Sequence, residues 1–122
     1  MRIVDVNEYY SPTGGGVRTY LDRKMRILAE LGHELTVIAP FDEDRIEDRP
    51  DGGRIYWVKA PPLVVDRNYW LVKDTVPVLR LLDQLKPDVV ENSSPWRPGW
   101  ALSRWQGDAL KVILAHNVNI GA

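Results

Sequence analysis

The chain contains no cysteine, which removes disulfides, thiolate nucleophiles and cysteine-based metal sites and is compatible with a reducing compartment. It also lacks a surplus of either charge, because 16 lysines and arginines oppose 17 aspartates and glutamates for a formal balance of −1. Phosphate-binding surfaces usually cluster Lys and Arg, so this near-neutrality, without such a cluster, argues against a basic nucleic-acid-binding domain. No apolar run approaches the ~18 residues of a membrane helix. The opening Met1-Arg2-Ile3-Val4-Asp5 enters a strand-like pattern directly, without the basic and apolar stretches of a signal peptide. A cytoplasmic protein is expected.

At 122 residues, 44% of them hydrophobic, the sequence describes one small globular domain. Single domains typically take about 100 to 200 residues, and a chain of this size buries roughly two thirds of the surface its unfolded form exposes. A core is therefore possible, and a second large domain does not fit in this length.

Arg2 to Asn7 is rich in Ile and Val and suits a buried strand. A loop from Glu8 to Gly16 follows, with three glycines at its end. From Val17 to Leu31 the apolar Val17, Tyr20, Leu21, Met25, Leu28 and Leu31 recur at three- and four-residue steps, the pattern of an amphipathic helix that Gly32 is placed to end in a left-handed conformation. Leu35 to Pro40 reads as a second strand. The charged stretch Phe41 to Gly53 is a surface excursion with a turn at Asp51-Gly52-Gly53, so Ile46 to Arg49 could fold back on Arg54 to Lys59 as a hairpin. Arg54 to Val58 is the third main strand. A helical segment covers about Tyr69 to Leu85, but Pro77 lies inside it, and either kinks the helix or makes it start nearby with Asp74 or Thr75 as cap. Val89 to Asn92 forms a fourth strand, Ser94-Pro95 opens a helix running to about Gln106, and Lys111 to His116 forms a fifth strand.

This alternation predicts an α/β fold: an open, mostly parallel Rossmann-like sheet of about five strands in the order 3-2-1-4-5, with helices on both faces. In such sheets a ligand sits at the carboxyl ends of the strands, beside the point where strand order reverses. The loops Glu8 to Gly16, Glu91 to Trp96 and His116 onward would line that crevice.

Gly14-Gly15-Gly16 stands immediately before a helix. Glycine lets backbone approach a ligand closely, and the free N–H groups of a helix start attract phosphate or another anion; a flexible turn is the plain alternative. The loop matches neither the dinucleotide fingerprint, which needs a short tight turn where this chain has nine residues, nor the P-loop, which needs Lys-Ser or Lys-Thr after the glycines. His116, ending the fifth strand, can bond a substrate hydroxyl or carry a proton, or can serve only as a hydrogen-bonded strand end. Glu91-Asn92-Ser93-Ser94 offers polar groups across the crevice, and Arg18 could reach an anion from the first turn or be an ordinary solvated arginine. Of five tryptophans, Trp57 and Trp105 fit core packing, while Trp96 is a weak candidate for stacking on a sugar ring. No His-x-x-x-His pair and no serine elbow supports metal or hydrolase chemistry.

These residues resemble the N-terminal domain of a group-one (family four) retaining glycosyltransferase of the two-Rossmann, GT-B, type. The likeness rests on Arg2 to Val6, on Gly15-Gly16-Val17-Arg18-Thr19-Tyr20-Leu21, on Leu28-Ala29-Glu30-Leu31-Gly32-His33-Glu34-Leu35-Thr36-Val37, on Lys86 to Val90 and on Val112 to His116. By resemblance Gly14, Gly15 and Gly16 approach the diphosphate and sugar of a nucleotide-sugar donor, and His116 approaches the transferred sugar as the catalytic residue. Tyr9, Tyr10, Arg18, Glu91 and Asn117 become candidates for the acceptor side. The resemblance implies transfer of a hexose with retention to a carbohydrate or lipid-linked acceptor, without catalytic metal or further cofactor, and in many members at the cytoplasmic face of a membrane. The family's second Rossmann domain is missing, so a truncated, inactive fragment is expected, with apolar surface and a strand edge free to pair two copies. A non-enzymatic α/β interaction module is the competing reading, and a nucleotide-dependent oxidoreductase is disfavoured by the loop length.

Overall fold

The structure, a computed structural model, describes residues 1–12, 15–50, 52–62, 70, 72–92, 101–102 and 104–113. Six strands form a single sheet: β1 (Arg2–Val6), β2 (Glu34–Phe41), β3 (Arg45–Arg49), β4 (Gly53–Lys59), β5 (Val89–Asn92) and β6 (Leu110–Ile113). Two helices are bounded, α1 (Gly16–Glu30) and α2 (Val76–Leu85), and Ala101, Leu102 and Arg104 are also helical.

The sheet order is β3-β4-β2-β1-β5-β6. All neighbours are parallel except β3 and β4, which pair antiparallel with Ile46 opposite Tyr56. The five strands expected from the sequence keep the order 3-2-1-4-5. The hairpin that the turn at Gly52 suggested adds the sixth, so the count of about five is corrected to six. Its charged sequence places β3 at an edge, where a parallel core strand would need apolar residues on both faces.

Alternation along β1 divides the core. Val4 and Val6 join Ile38, Tyr56 and Val58 beneath Val78 and Leu82 of α2, together with Leu102 and Trp105. On the other face Ile3, Leu35, Val37, Ala39, Ile55 and Trp57 pack against Leu21 and Met25 of α1. Trp57 and Trp105 are thus core residues, as expected. Leu82 is 0% exposed, so Leu82→Ala should cost about 2–5 kcal/mol in a urea unfolding experiment, through lost transfer energy and the cavity left behind.

Local signals explain both helix ends. Gly32 has φ +84°, its N–H bonds the Ala29 carbonyl at 3.1 Å, and the His33 N–H reaches back to Leu28 at 2.8 Å, the paired closure that a left-handed residue permits. For α2 the alternatives left by Pro77 resolve in favour of a late start. Thr75 holds the cap position, Asp74 Oδ1 accepts the Val76 N–H at 3.1 Å, and Pro77 falls in the first turn where it removes no needed bond. The helix does not reach back to Tyr69, because Trp70 bridges Pro62 in extended pairing and the Val72 N–H is taken by Glu8 Oε2 at 2.8 Å.

Among the described residues no helix is long and apolar enough to cross a membrane.

Candidate functional site

The carboxyl ends of β1 and β5 lie side by side at the reversal of strand order, with Val6 paired to Asn92. Past Val6 the chain turns at once. The Asn7 N–H extends the strand pairing to the Ile38 carbonyl at 3.0 Å, and its side-chain Oδ1 accepts the Tyr9 N–H at 2.9 Å, an Asx turn. Glu8 turns inward toward Val72; burial pushes its carboxyl up, and the Val72 N–H partly offsets this.

Tyr10 is 1% exposed and anchors the loop from beneath. Its ring lies 5.6 Å from that of Trp57, and its hydroxyl donates to Asp22 Oδ1 at 2.6 Å. Burial, then the hydrogen bond and charge of Asp22, raises this phenol above its ordinary range. Arg18 stacks its guanidinium 5.4 Å from the Tyr10 ring centre and donates from Nη1 to the carbonyls of Ser11 at 3.1 Å and Pro12 at 2.6 Å. Asp22 also meets Arg49 at 3.2 Å, and Arg49 meets Glu47 at 2.9 Å. Glu47 accepts the Trp57 indole N–H at 3.2 Å; against the burial that opposes it, Arg49, Trp57 and Arg45 hold its carboxyl below the usual range. This relay ties the loop after β1, through α1, to the β3–β4 hairpin. Tyr10→Phe removes one bond while Asp22 keeps Arg49 and also Arg18, whose Nε lies 3.7 Å from its Oδ2, so its expected cost is about 1 kcal/mol, read from the shift of a denaturant midpoint.

The two described glycines before α1 differ. Gly15 caps the helix with φ 107° and ψ 172°, a region essentially closed to side chains. Its carbonyl accepts both the Thr19 N–H and the Thr19 hydroxyl, each at 3.1 Å. Gly16 has no such conformational need, and a Cβ placed there would meet nothing within 4 Å. Among the described residues no side chain caps this helix start, and no acidic residue occupies its first turn. The first amides of α1 thus lack intrahelical partners and carry the positive end of the helix dipole, and Gly16 among them is exposed, which suits an anion.

Tyr9, Tyr10, Gly15, Gly16 and Arg18 are therefore gathered around the end of β1. Glu91 stands on the neighbouring strand but is turned under α1, where Lys24 Nζ holds its Oε2 at 2.6 Å. Gly14, His116 and Asn117 lie outside the described residues, as do Ser93, Ser94, Trp96 and Trp100; β6 is described to Ile113, the register partner of Asn92. Reading the sequence missed Asp22, Arg49 and Glu47, whose only local signal is the four-residue spacing from Arg18 to Asp22. It also passed over Asp42-Glu43-Asp44. Both aspartates of that run serve the fold: Asp42 accepts the Trp70 indole N–H at 2.6 Å and Asp44 the Lys59 N–H at 2.8 Å. Among the described residues no group of acidic or histidine side chains is arranged to hold a metal ion. A cavity of about 200 Å³ lined by Arg2, Glu34, Thr36 and Gln84 lies at the amino ends of the strands, on the opposite edge from the glycines.

The profile of the family described as Glycosyltransferase Family 4 matches residues 14–120. The chain belongs to glycosyltransferase family 4. The matched span includes the glycine-led helix and strands β2 to β6 and begins after β1. The chain is 34% identical over 98 residues to a GDP-mannose-dependent alpha-mannosyltransferase of Mycobacterium tuberculosis (strain CDC 1551 / Oshkosh), covering 78% of this chain and 26% of that protein. It is 25% identical over 84 residues to a phosphatidylinositol N-acetylglucosaminyltransferase component of Arabidopsis thaliana, covering 67% of this chain and 19% of that protein. The chain thus spans about a quarter or less of the length of these family-four relatives.

Proposed function

We propose that the chain is the N-terminal, acceptor-side domain of a glycosyltransferase moving a hexose from a nucleotide-sugar to a carbohydrate or lipid-linked acceptor, with retention of configuration. The observation that carries this reading is the uncapped start of α1, where Gly15 holds a glycine-only conformation and Gly16 faces open space that its own fold leaves unfilled. A donor diphosphate is the anion such a start would take. The relatives' names agree with both substrates, one naming GDP-mannose and the other phosphatidylinositol.

In this reading Gly14, Gly15 and Gly16 meet the donor and His116 meets the transferred sugar. Tyr9 and Asn117 face the acceptor. Arg18 acts there by fixing the loop carbonyls, Tyr10 by supporting Arg18 from beneath, and Glu91 by tying α1 to β5. The nucleotide pocket belongs to a second Rossmann half, so this chain alone does not turn over. Edge strand β6, with Leu110 65% exposed, offers a seat for a second copy. The intact protein works in the cytoplasm, peripherally at the inner membrane face when its acceptor is a lipid.

The test is a transfer assay on the intact protein, with a panel of nucleotide-sugars that includes GDP-mannose. Transfer or slow donor hydrolysis with one of them is expected. Neither reaction with any donor would defeat the proposal.

A further inference from the structure

Asp5 is the penultimate residue of β1, the strand flanked by β2 and β5 within the sheet. It is 0% exposed, and among the described residues neither of its carboxyl oxygens has a hydrogen-bond partner at ordinary geometry. Such a group is unusual, since a buried charge is normally paired or neutralised. Its surroundings on that face can be enumerated. From β2 the register partner is apolar Val37, and from β5 it is Glu91. From α1 the buried neighbours are Leu21 and Met25, with Lys24 the one described cation reaching in, and that cation is already bound to Glu91 at 2.6 Å. Past the end of β1 stand Asn7, which does not titrate, and buried Tyr10, whose hydroxyl donates to Asp22.

Two carboxyl groups therefore stand side by side with one ammonium, which is bound to Glu91, while Asp5 itself is shut off from water. Adjacent carboxylates under these conditions hold a proton between them, and it settles on the more buried member. We propose that Asp5 is a proton-holding positioning residue: kept neutral, it leaves Glu91 free to bind Lys24 and so seats the glycine-led helix on the sheet. Burial, reinforced by Glu91 and opposed by Lys24 and Asn7, pushes the Asp5 carboxyl up from 3.8 to about 8.

Folding then takes up a proton throughout the window between those two values. The native state is favoured below the unfolded value of 3.8, loses that advantage steadily as pH rises toward about 8, and changes no further above it. One proton corresponds to a tenfold change in the unfolding constant per pH unit.

The test is urea unfolding of the chain from pH 4 to 9.5, beside Asp5→Asn and Glu91→Gln. The ratio of the wild-type unfolding constant to that of Asp5→Asn should grow tenfold per pH unit through the window and then level. Glu91→Gln should move the levelling point to lower pH. If Asp5→Asn fails to fold, the carboxyl ¹³C resonance of Asp5 in the wild-type chain supplies the measurement directly. A midpoint well above 6 is expected there. A midpoint near 4, or parallel wild-type and Asp5→Asn stabilities across the whole range, would overturn the proposal. None of these readouts involves a donor, so the outcome is independent of the glycosyl-transfer assay.

Discussion

Gly15→Val and Gly16→Ala are expected to separate folding from function at two adjacent positions. Gly15 sits at φ 107°, ψ 172°, where a β-branched residue is strained by roughly 1–3 kcal/mol. Relieving that strain would rotate the loop and displace the carbonyl that Thr19 uses at 3.1 Å. The valine variant should lose stability by about that amount and lose donor turnover in the intact protein. Gly16 opens α1 with a φ that any residue can adopt and with free space around it. Alanine there should leave stability unchanged or raise it by up to about 1 kcal/mol, since alanine is the better helix former. Yet its methyl group enters the space assigned to the donor. Losing close contact between amides and a charged phosphate costs about 1.5–3 kcal/mol, or roughly 10- to 100-fold in donor KM. Equal donor KM in Gly16→Ala and wild type, measured in the intact protein, would remove the glycine start from the site.

His116→Ala should lower kcat by about 10²- to 10⁴-fold, the usual range for a positioned proton-transfer group, with donor KM changed much less. The expectation follows from the place of the histidine in the chain. It is three residues beyond Ile113, whose register partner Asn92 stands beside Val6 at the carboxyl edge where the glycine loop begins. A hydrogen-bonded strand end with no chemical part would instead show itself as lost stability with kcat preserved. Thermal unfolding of the same variant distinguishes the two.

Much of this architecture could be read from residue order. The Ile- and Val-rich run at Arg2–Val6, the short Val89–Asn92 strand and the glycine after α1 each carry a local signal, and the strand order follows from right-handed crossovers. The start of α2 could not be placed because Pro77 fits both a kink and a first turn; the Asp74 side chain and the extended pairing of Trp70 decide it, and the second of these is a tertiary contact. The relay from Tyr10 through Asp22 to Arg49 joins residues 12 and 27 positions apart, beyond any periodicity. Asp5 was visible as a lone acid in an apolar strand. Its meaning depends on Glu91, which only the parallel register of β1 and β5 brings alongside. The charged stretch after β2 does lie at the surface, with Asp42, Glu43, Asp44 and Asp48 exposed; what residue order did not show is that several of its acids also bond the fold, Glu47 to Trp57, Asp44 to Lys59 and Asp42 to Trp70.

Donor binding at the uncapped start of α1 is the claim on which the proposed function depends. Its most direct test is to follow backbone amide resonances of the intact protein as a nucleotide-sugar is added. Saturable shifts concentrated on Gly15, Gly16, Val17 and Arg18 are predicted. Saturable shifts that spare these amides and fall on Arg2, Glu34 and Thr36, at the amino edge of the sheet, would contradict it.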